Sequence, residues 1–149
     1  MVQKLQFEED YLKRQNIIVV WLYTVIVFVI CMVIIGGLTR LTGSGLSMVD
    51  WRPVTGWLPP LNDMSWFIVF EEYKKTPEYL IINKGINLQE FKQIFWLEYI
   101  HRLWGRLIGL IFLLPFVFFL FKGWINTVLG IRLLGVFVLG GAQGVMGWY

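Results

Sequence analysis

From Gln15 to Thr39 the chain carries no charged residue, and Ile17 to Leu38 is nearly all Ile, Val, Phe, Trp and Leu. As a helix rising about 1.5 Å per residue, these 22 positions reach about 33 Å, enough to cross a hydrocarbon core of about 30 Å. The run is longer than the apolar region of a signal peptide and ends at Gly36-Gly37 without a small-x-small cleavage pattern. It therefore reads as a transmembrane helix over about 16–38. Composition agrees, since 57% of the 149 residues are apolar and 15% are charged, where a water-soluble domain has about a quarter charged. An ordinary cytosolic enzyme is excluded on that ground. A disordered chain is excluded by 8 Trp, 12 Phe and 6 Tyr. The net charge of +3 lies beside apolar runs, where it sets membrane orientation and gives no reason to expect nucleic acid as a partner.

A second uncharged run, Leu107 to Phe121, is short for a span on its own. Asn87 followed by Glu90 has the form of a capping box, and Phe91, Ile94, Phe95, Leu97 and His101 recur behind it at helical spacing. These features predict one helix from Leu88 to Phe121, spanning the bilayer over about 93–121 and kinked by Pro115 in its far half. A third run follows Arg132 to the last residue, giving a span over about 131–149 and the expectation of a truncated protein. Lys13 and Arg14 precede the first span, and Lys122 and Arg132 bracket the turn between the second and third. The positive-inside rule places both on the cytoplasmic or matrix side, and a long outer loop over about 39–92 on the other. The expected fold class is all-α, an integral membrane helical bundle in the lipid bilayer.

The sharpest cluster is Glu98-Tyr99-Ile100-His101-Arg102 with Gly105, Arg106 and Gly109. On a helix Glu98 and His101 share a face, while Arg102 lies four beyond Glu98 and Arg106 four beyond Arg102. Ionisable groups this close to a membrane-spanning run are costly and mark a candidate site. A functional reading makes His101 an axial ligand to heme iron, with Gly105 leaving room for a flat macrocycle and Arg102 or Arg106 pairing with propionates. Glu98 would orient the imidazole or handle protons. A plainer reading joins Glu98 and Arg102 in an interfacial salt bridge, with Arg106 snorkelling and His101 in the headgroup zone.

Two glycine-rich stretches flank this cluster. Residues 36–47, GGLTRLTGSGLS, lead into WRPVTGWLPP at 51–60 and read either as a tight fold over a membrane mouth or as a helix end with Trp51 and Trp57 in an aromatic belt. In GGAQGVMGW at 140–148, Gly140 and Gly144 form a GxxxG pair that reads as a site of close helix packing, including self-association, with a cofactor-facing groove as the alternative. The single Cys31 excludes an internal disulfide framework and reads as a small apolar residue. No Walker A, HExxH or GxSxG sequence occurs.

Taken together, the 36–60 stretch, EYIHRLWGR at 98–106 and the 140–148 stretch resemble the heme A synthase family, in the family's own order. The resemblance implies eight transmembrane helices in two similar four-helix halves, with this chain as the truncated N-terminal, substrate-heme half. Its implied activity is oxidation of the C8 methyl of heme O to a formyl group, giving heme A for cytochrome oxidase. It implies catalytic roles for Glu98 and His101, iron ligation by His101, and a cofactor-binding group comprising His101, Arg102, Arg106, Gly105 and Arg40. Heme O is the implied substrate, heme b the cofactor of the absent half, and heme O synthase a partner. Two departures stand out: the chain holds one His, so a histidine pair needs a residue beyond Tyr149, and the outer loop lacks the cysteine pair of some relatives. The long spacing between first span and ExxHR resembles the alphaproteobacterial and mitochondrial branch. The acidic Glu8, Glu9 and Asp10 are unlike a transit peptide, which favours a bacterial inner membrane over a mitochondrial one, with the N-terminus cytoplasmic and the loop periplasmic. The rival readings are a heme- or quinone-binding electron-transfer subunit and an inactive fragment that binds a partner.

Overall fold

The computed structural model describes residues 2–49 and 57–147, in which every regular element is a helix. In chain order these are α1 (Val2–Leu41), α2 (Asp63–Tyr73), α3 (Pro77–Ile81), α4 (Leu88–Phe121) and α5 (Thr127–Met146). Helices α1, α4 and α5 are long and apolar enough to cross a membrane. Trp51, Arg52, Pro53, Gly56, Trp148 and Tyr149, which the sequence reading invoked, lie outside the described residues.

At three ends the helices extend beyond the expected membrane spans. Helix α1 starts near the N-terminus instead of at 16, because the polar residues before the span continue its helix, with Glu9 and Lys13 paired at 2.9 Å one turn apart. It also runs through Gly36-Gly37 to Leu41 and ends where Gly43 takes φ +59°. There Ser44 N–H bonds to Thr39 C=O and Gly43 N–H to Arg40 C=O, a Schellman cap needing a left-handed residue. Helix α5 starts at Thr127 instead of 131, because Asn126 caps it by accepting from Leu129 N–H at 2.8 Å. The capping box before α4 forms as expected: Asn87 Oδ1 accepts from Gln89 and Glu90 N–H, and Glu90 Oε2 accepts from Asn87 N–H.

The chain divides into two compact units. The first, 1–30 with 107–149, packs Ile18 and Trp21 of α1 against Phe112, Phe116 and Phe119 of α4 and Leu133 of α5. Trp21 Nε1 donates to the Ile111 carbonyl at 2.8 Å. That carbonyl would ordinarily accept from the residue four positions on, which is Pro115 and has no N–H.

The second unit, 31–106, is built on aromatic ladders. Trp66, Phe70 and Tyr73 of α2 meet Phe91, Phe95 and Tyr99 of α4, with ring centres 4.9 Å apart for Trp66–Phe95 and 5.0 Å for Phe70–Phe91. Steps of four along α4, and of four and three along α2, keep these rings on facing sides of the two helices. Burial pushes the Tyr73 hydroxyl above its ordinary pKa, and Asn83 donates to it at 2.8 Å. Tyr99 donates to the Trp57 carbonyl at 2.7 Å. The turn of α4 beside Glu98 is thus held by packing from outside the helix.

Candidate functional site

The chemistry-bearing residues gather on α4 and on the segment leaving α1, all within the second unit. Glu98 is 5% exposed, and both its carboxylate oxygens accept hydrogen bonds. Oε2 accepts from Ser47 Oγ at 2.6 Å and from Met48 N–H at 2.7 Å. Oε1 accepts from Arg102 Nε at 2.9 Å and from Arg102 Nη2 in an ion pair. Four donors therefore meet the roughly four acceptor positions a carboxylate offers. Arg102 Nη2 also donates to the Met48 carbonyl at 3.0 Å, so the backbone of this one loop residue is gripped through both its N–H and its C=O.

His101 is half-buried on the same helix. A Cβ at position 36 of α1 would stand 3.1 Å from its Nε2, tighter than side-chain atoms ordinarily pack. Gly36 therefore leaves the imidazole nitrogen facing bare backbone. One turn further on, a Cβ at Gly105 would lie 3.4 Å from Met32 Cε. The pairs 36/101 and 32/105 run in opposite directions along α1 and α4, the antiparallel register that puts glycine at both close approaches.

The structure thus brings Glu98, His101 and Arg102 together. Arg106 sits with its guanidinium 5.6 Å from the Trp57 ring centre, a cation–π contact. Gly105 lies beside the end of the flexible Met32 side chain, which an added Cβ would meet at 3.4 Å, an ordinary contact distance. Arg40 is exposed in the last turn of α1, and among the described residues no hydrogen bond or ion pair joins its side chain to the cluster. The ion pair of the plainer reading forms, but buried and not in an open interface. Sequence reasoning missed Ser47 and Gly36 as partners of the cluster. Ser47 carried a usable signal, a small polar residue in a glycine-rich loop ahead of a helix bearing an acid.

Comparison with known proteins bears on what this arrangement is. Residues 19–149 match the COX15-CtaA family of cytochrome oxidase assembly proteins. The chain belongs to that family. Curated relatives named heme A synthase include one from Paramagnetospirillum magneticum, 58% identical over 132 residues, which cover 89% of this chain and 37% of the relative. One from Nitrosomonas eutropha is 48% identical over 141 residues, covering 95% of this chain and 40% of the relative. One from Arabidopsis thaliana is 52% identical over 137 residues, covering 92% and 30%. The chain therefore spans well under half the length of these relatives. No solved structure matches it. Within a membrane-protein family of this kind, the site on α4 is an ionisable cluster carried by a candidate membrane-spanning helix.

Proposed function

We propose that the chain is the N-terminal part of a heme A synthase, acting on heme O and oxidising its C8 methyl to the formyl group of heme A. The observation that carries the proposal is His101, the sole imidazole in the chain, half-buried on a candidate membrane-spanning helix one turn from buried Glu98 and its Arg102 partner, where Gly36 lets the ring lie close against α1. A neutral imidazole nitrogen is a good iron ligand, and an imidazole on a candidate membrane-spanning helix beside a buried acid and an arginine marks a functional site more than a packing residue. The names of the relatives support the same substrate class.

In this proposal His101 holds the heme iron from α4. Arg102 and Arg106, one and two turns from Glu98, supply positive charge for propionate carboxylates. Bound heme supplies the redox chemistry of the methyl oxidation. The chain's own part is to bind and orient: aromatic ladders from α2 fix the α4 turn, and Gly36 grants clearance at Nε2. Glu98 is the acid of the site, and any proton it passes requires opening one of the four hydrogen bonds on its carboxylate. A heme b cofactor and heme O synthase as a supplying partner complete the reading. The membrane is proposed to be a bacterial inner membrane, with α1 entering from the cytoplasm and the loop over about 39–92 periplasmic.

The test is extraction of hemes from cells expressing the full-length protein with His101→Ala or Glu98→Gln beside the heme O-producing machinery. Loss of heme A with accumulation of heme O is expected for both. An unchanged heme A yield in His101→Ala removes His101 from the reaction, and in Glu98→Gln removes the acid.

A further inference from the structure

We infer that Ser47, Glu98 and Arg102 form a clamp on the peptide of Met48 that sets the register of α1 against the His101 turn of α4, with Ser47 a positioning residue acting through Glu98. The clamp binds backbone, through Met48 N–H to Glu98 and Met48 C=O to Arg102, and so demands nothing of the Met48 side chain. It does demand an acid and an arginine one turn apart on α4, and a short hydroxyl at position 47. Ser47 is fully buried, and its Oγ also lies 3.3 Å from the Ile94 carbonyl, one turn before Glu98.

Backbone strain points to the same function. Leu46 adopts φ +67°, a region side chains rarely occupy, and such conformations persist where the surroundings over-determine them. The Leu46 side chain is 64% exposed and cannot be the anchor. The anchors are the next two residues, through Ser47 Oγ and Met48 N–H. On the other side of Leu46 the path back to α1 is short and tied. Ser44 is fully buried, its hydroxyl donates to Thr39 C=O at 3.1 Å, and Thr39 Oγ1 donates to Gly36 C=O at 2.8 Å. Two hydrogen bonds thus tie Ser44 back to Gly36, and the short backbone path Gly45-Leu46-Ser47 joins Ser44 to the clamped peptide, while the contact of Gly36 with His101 has no slack. Releasing Met48 lets the end of α1 shift, and with it the space in front of Nε2.

The inference rests on the heme reading only for its spectroscopic readout. In the full-length protein in detergent, amide exchange at Met48 is compared for wild type, Ser47→Ala and Ser47→Cys, the second keeping the volume but donating weakly. The same samples are loaded with iron protoporphyrin, and the contribution of His101 is taken as the absorbance and electron paramagnetic resonance difference from His101→Ala. Both Ser47 variants are expected to speed Met48 exchange about tenfold, the scale of one hydrogen bond, and to shift the His101-dependent signal. Exchange at the wild-type rate in either variant overturns the clamp. Faster exchange with an unshifted signal overturns the positioning of His101. If the wild type takes up no porphyrin at the His101 site, the heme reading fails, and the exchange comparison still decides the clamp.

Discussion

At the scale of single residues, position 36 separates helix stability from ligand binding. Glycine inside a helix costs roughly 0.5–1 kcal/mol relative to alanine, so Gly36→Ala should strengthen α1 if nothing opposed it. The added Cβ would stand 3.1 Å from His101 Nε2, and the imidazole must move by a few tenths of an ångström. Gly36→Ala is therefore expected to leave the melting temperature unchanged or raised while lowering heme retention, and Gly36→Val to abolish it. Thermal melts and pyridine hemochrome assays on the same preparations check this. Retention at the wild-type level in Gly36→Val would show that Nε2 needs no clearance. Glu98 behaves in the opposite way, since removing one partner of a buried ion pair costs about 3–5 kcal/mol. His101, Glu98 and Arg102 were legible in the sequence because they lie within one turn of each other, where helical spacing alone brings side chains together. Gly36 and Ser47 were not, because each meets its partner across more than fifty residues. Nothing in local spacing encodes that contact.

At the scale of elements, the pairing of Trp21 with Pro115 shows how one helix repairs another. Pro115 leaves the Ile111 carbonyl without its usual acceptor bond, in a core where water is not at hand. Trp21, 7% exposed between Phe112 and Phe119, fills that vacancy with its indole N–H. Trp21→Phe keeps an aromatic ring but removes the donor, and is expected to cost about 1–3 kcal/mol, the penalty of an unsatisfied buried polar group. In a Pro115→Ala background the helix supplies its own N–H, and most of that penalty should vanish. A double-mutant cycle by denaturant unfolding in detergent measures the coupling, expected at about 1–2 kcal/mol. Additive effects would mean that the indole bond contributes nothing. The elements themselves were largely readable: an uncharged run gave α1, a capping box gave the start of α4, and apolar periodicity joined its two halves. What escaped was the length of α1, because polarity before a span marks the edge of the lipid and not the end of a helix. The short helices α2 and α3 also went unread, since their aromatic face becomes meaningful only against Phe91, Phe95 and Tyr99.

For the whole molecule, the constraint is that three long helices present apolar faces outward, among them Val33 and Ile34 of α1, Leu114 and Phe118 of α4, and Val138 and Leu139 of α5. Lipid is the solvent that accepts such surfaces. At about 1.5 Å per residue, the 40 residues of α1 reach about 60 Å, twice a typical hydrocarbon thickness, and most of the excess is the charged stretch before residue 15. Arg14 lies 5.7 Å from the ring centre of Trp124 in the turn between α4 and α5, and Trp124 stacks on Phe119 at 5.4 Å. That contact brings the start of α1 beside the α4–α5 turn, where Lys13, Arg14 and Lys122 gather the positive charge on which the proposed cytoplasmic placement of this end rests. The proposed orientation puts the loop carrying Lys84 in the opposite compartment, and labelling tests it. With Cys31 replaced by alanine, a cysteine at exposed Lys84 should react with a membrane-impermeant maleimide in intact bacterial cells. A cysteine at exposed Glu8 should react only after the membrane is permeabilised. The reverse labelling pattern would invert the orientation and move the clamped segment, with the site beside it, to the cytoplasmic side. Equal labelling of both in intact cells would mean that α1 does not cross, and the lipid-facing reading of its uncharged run would fall with it.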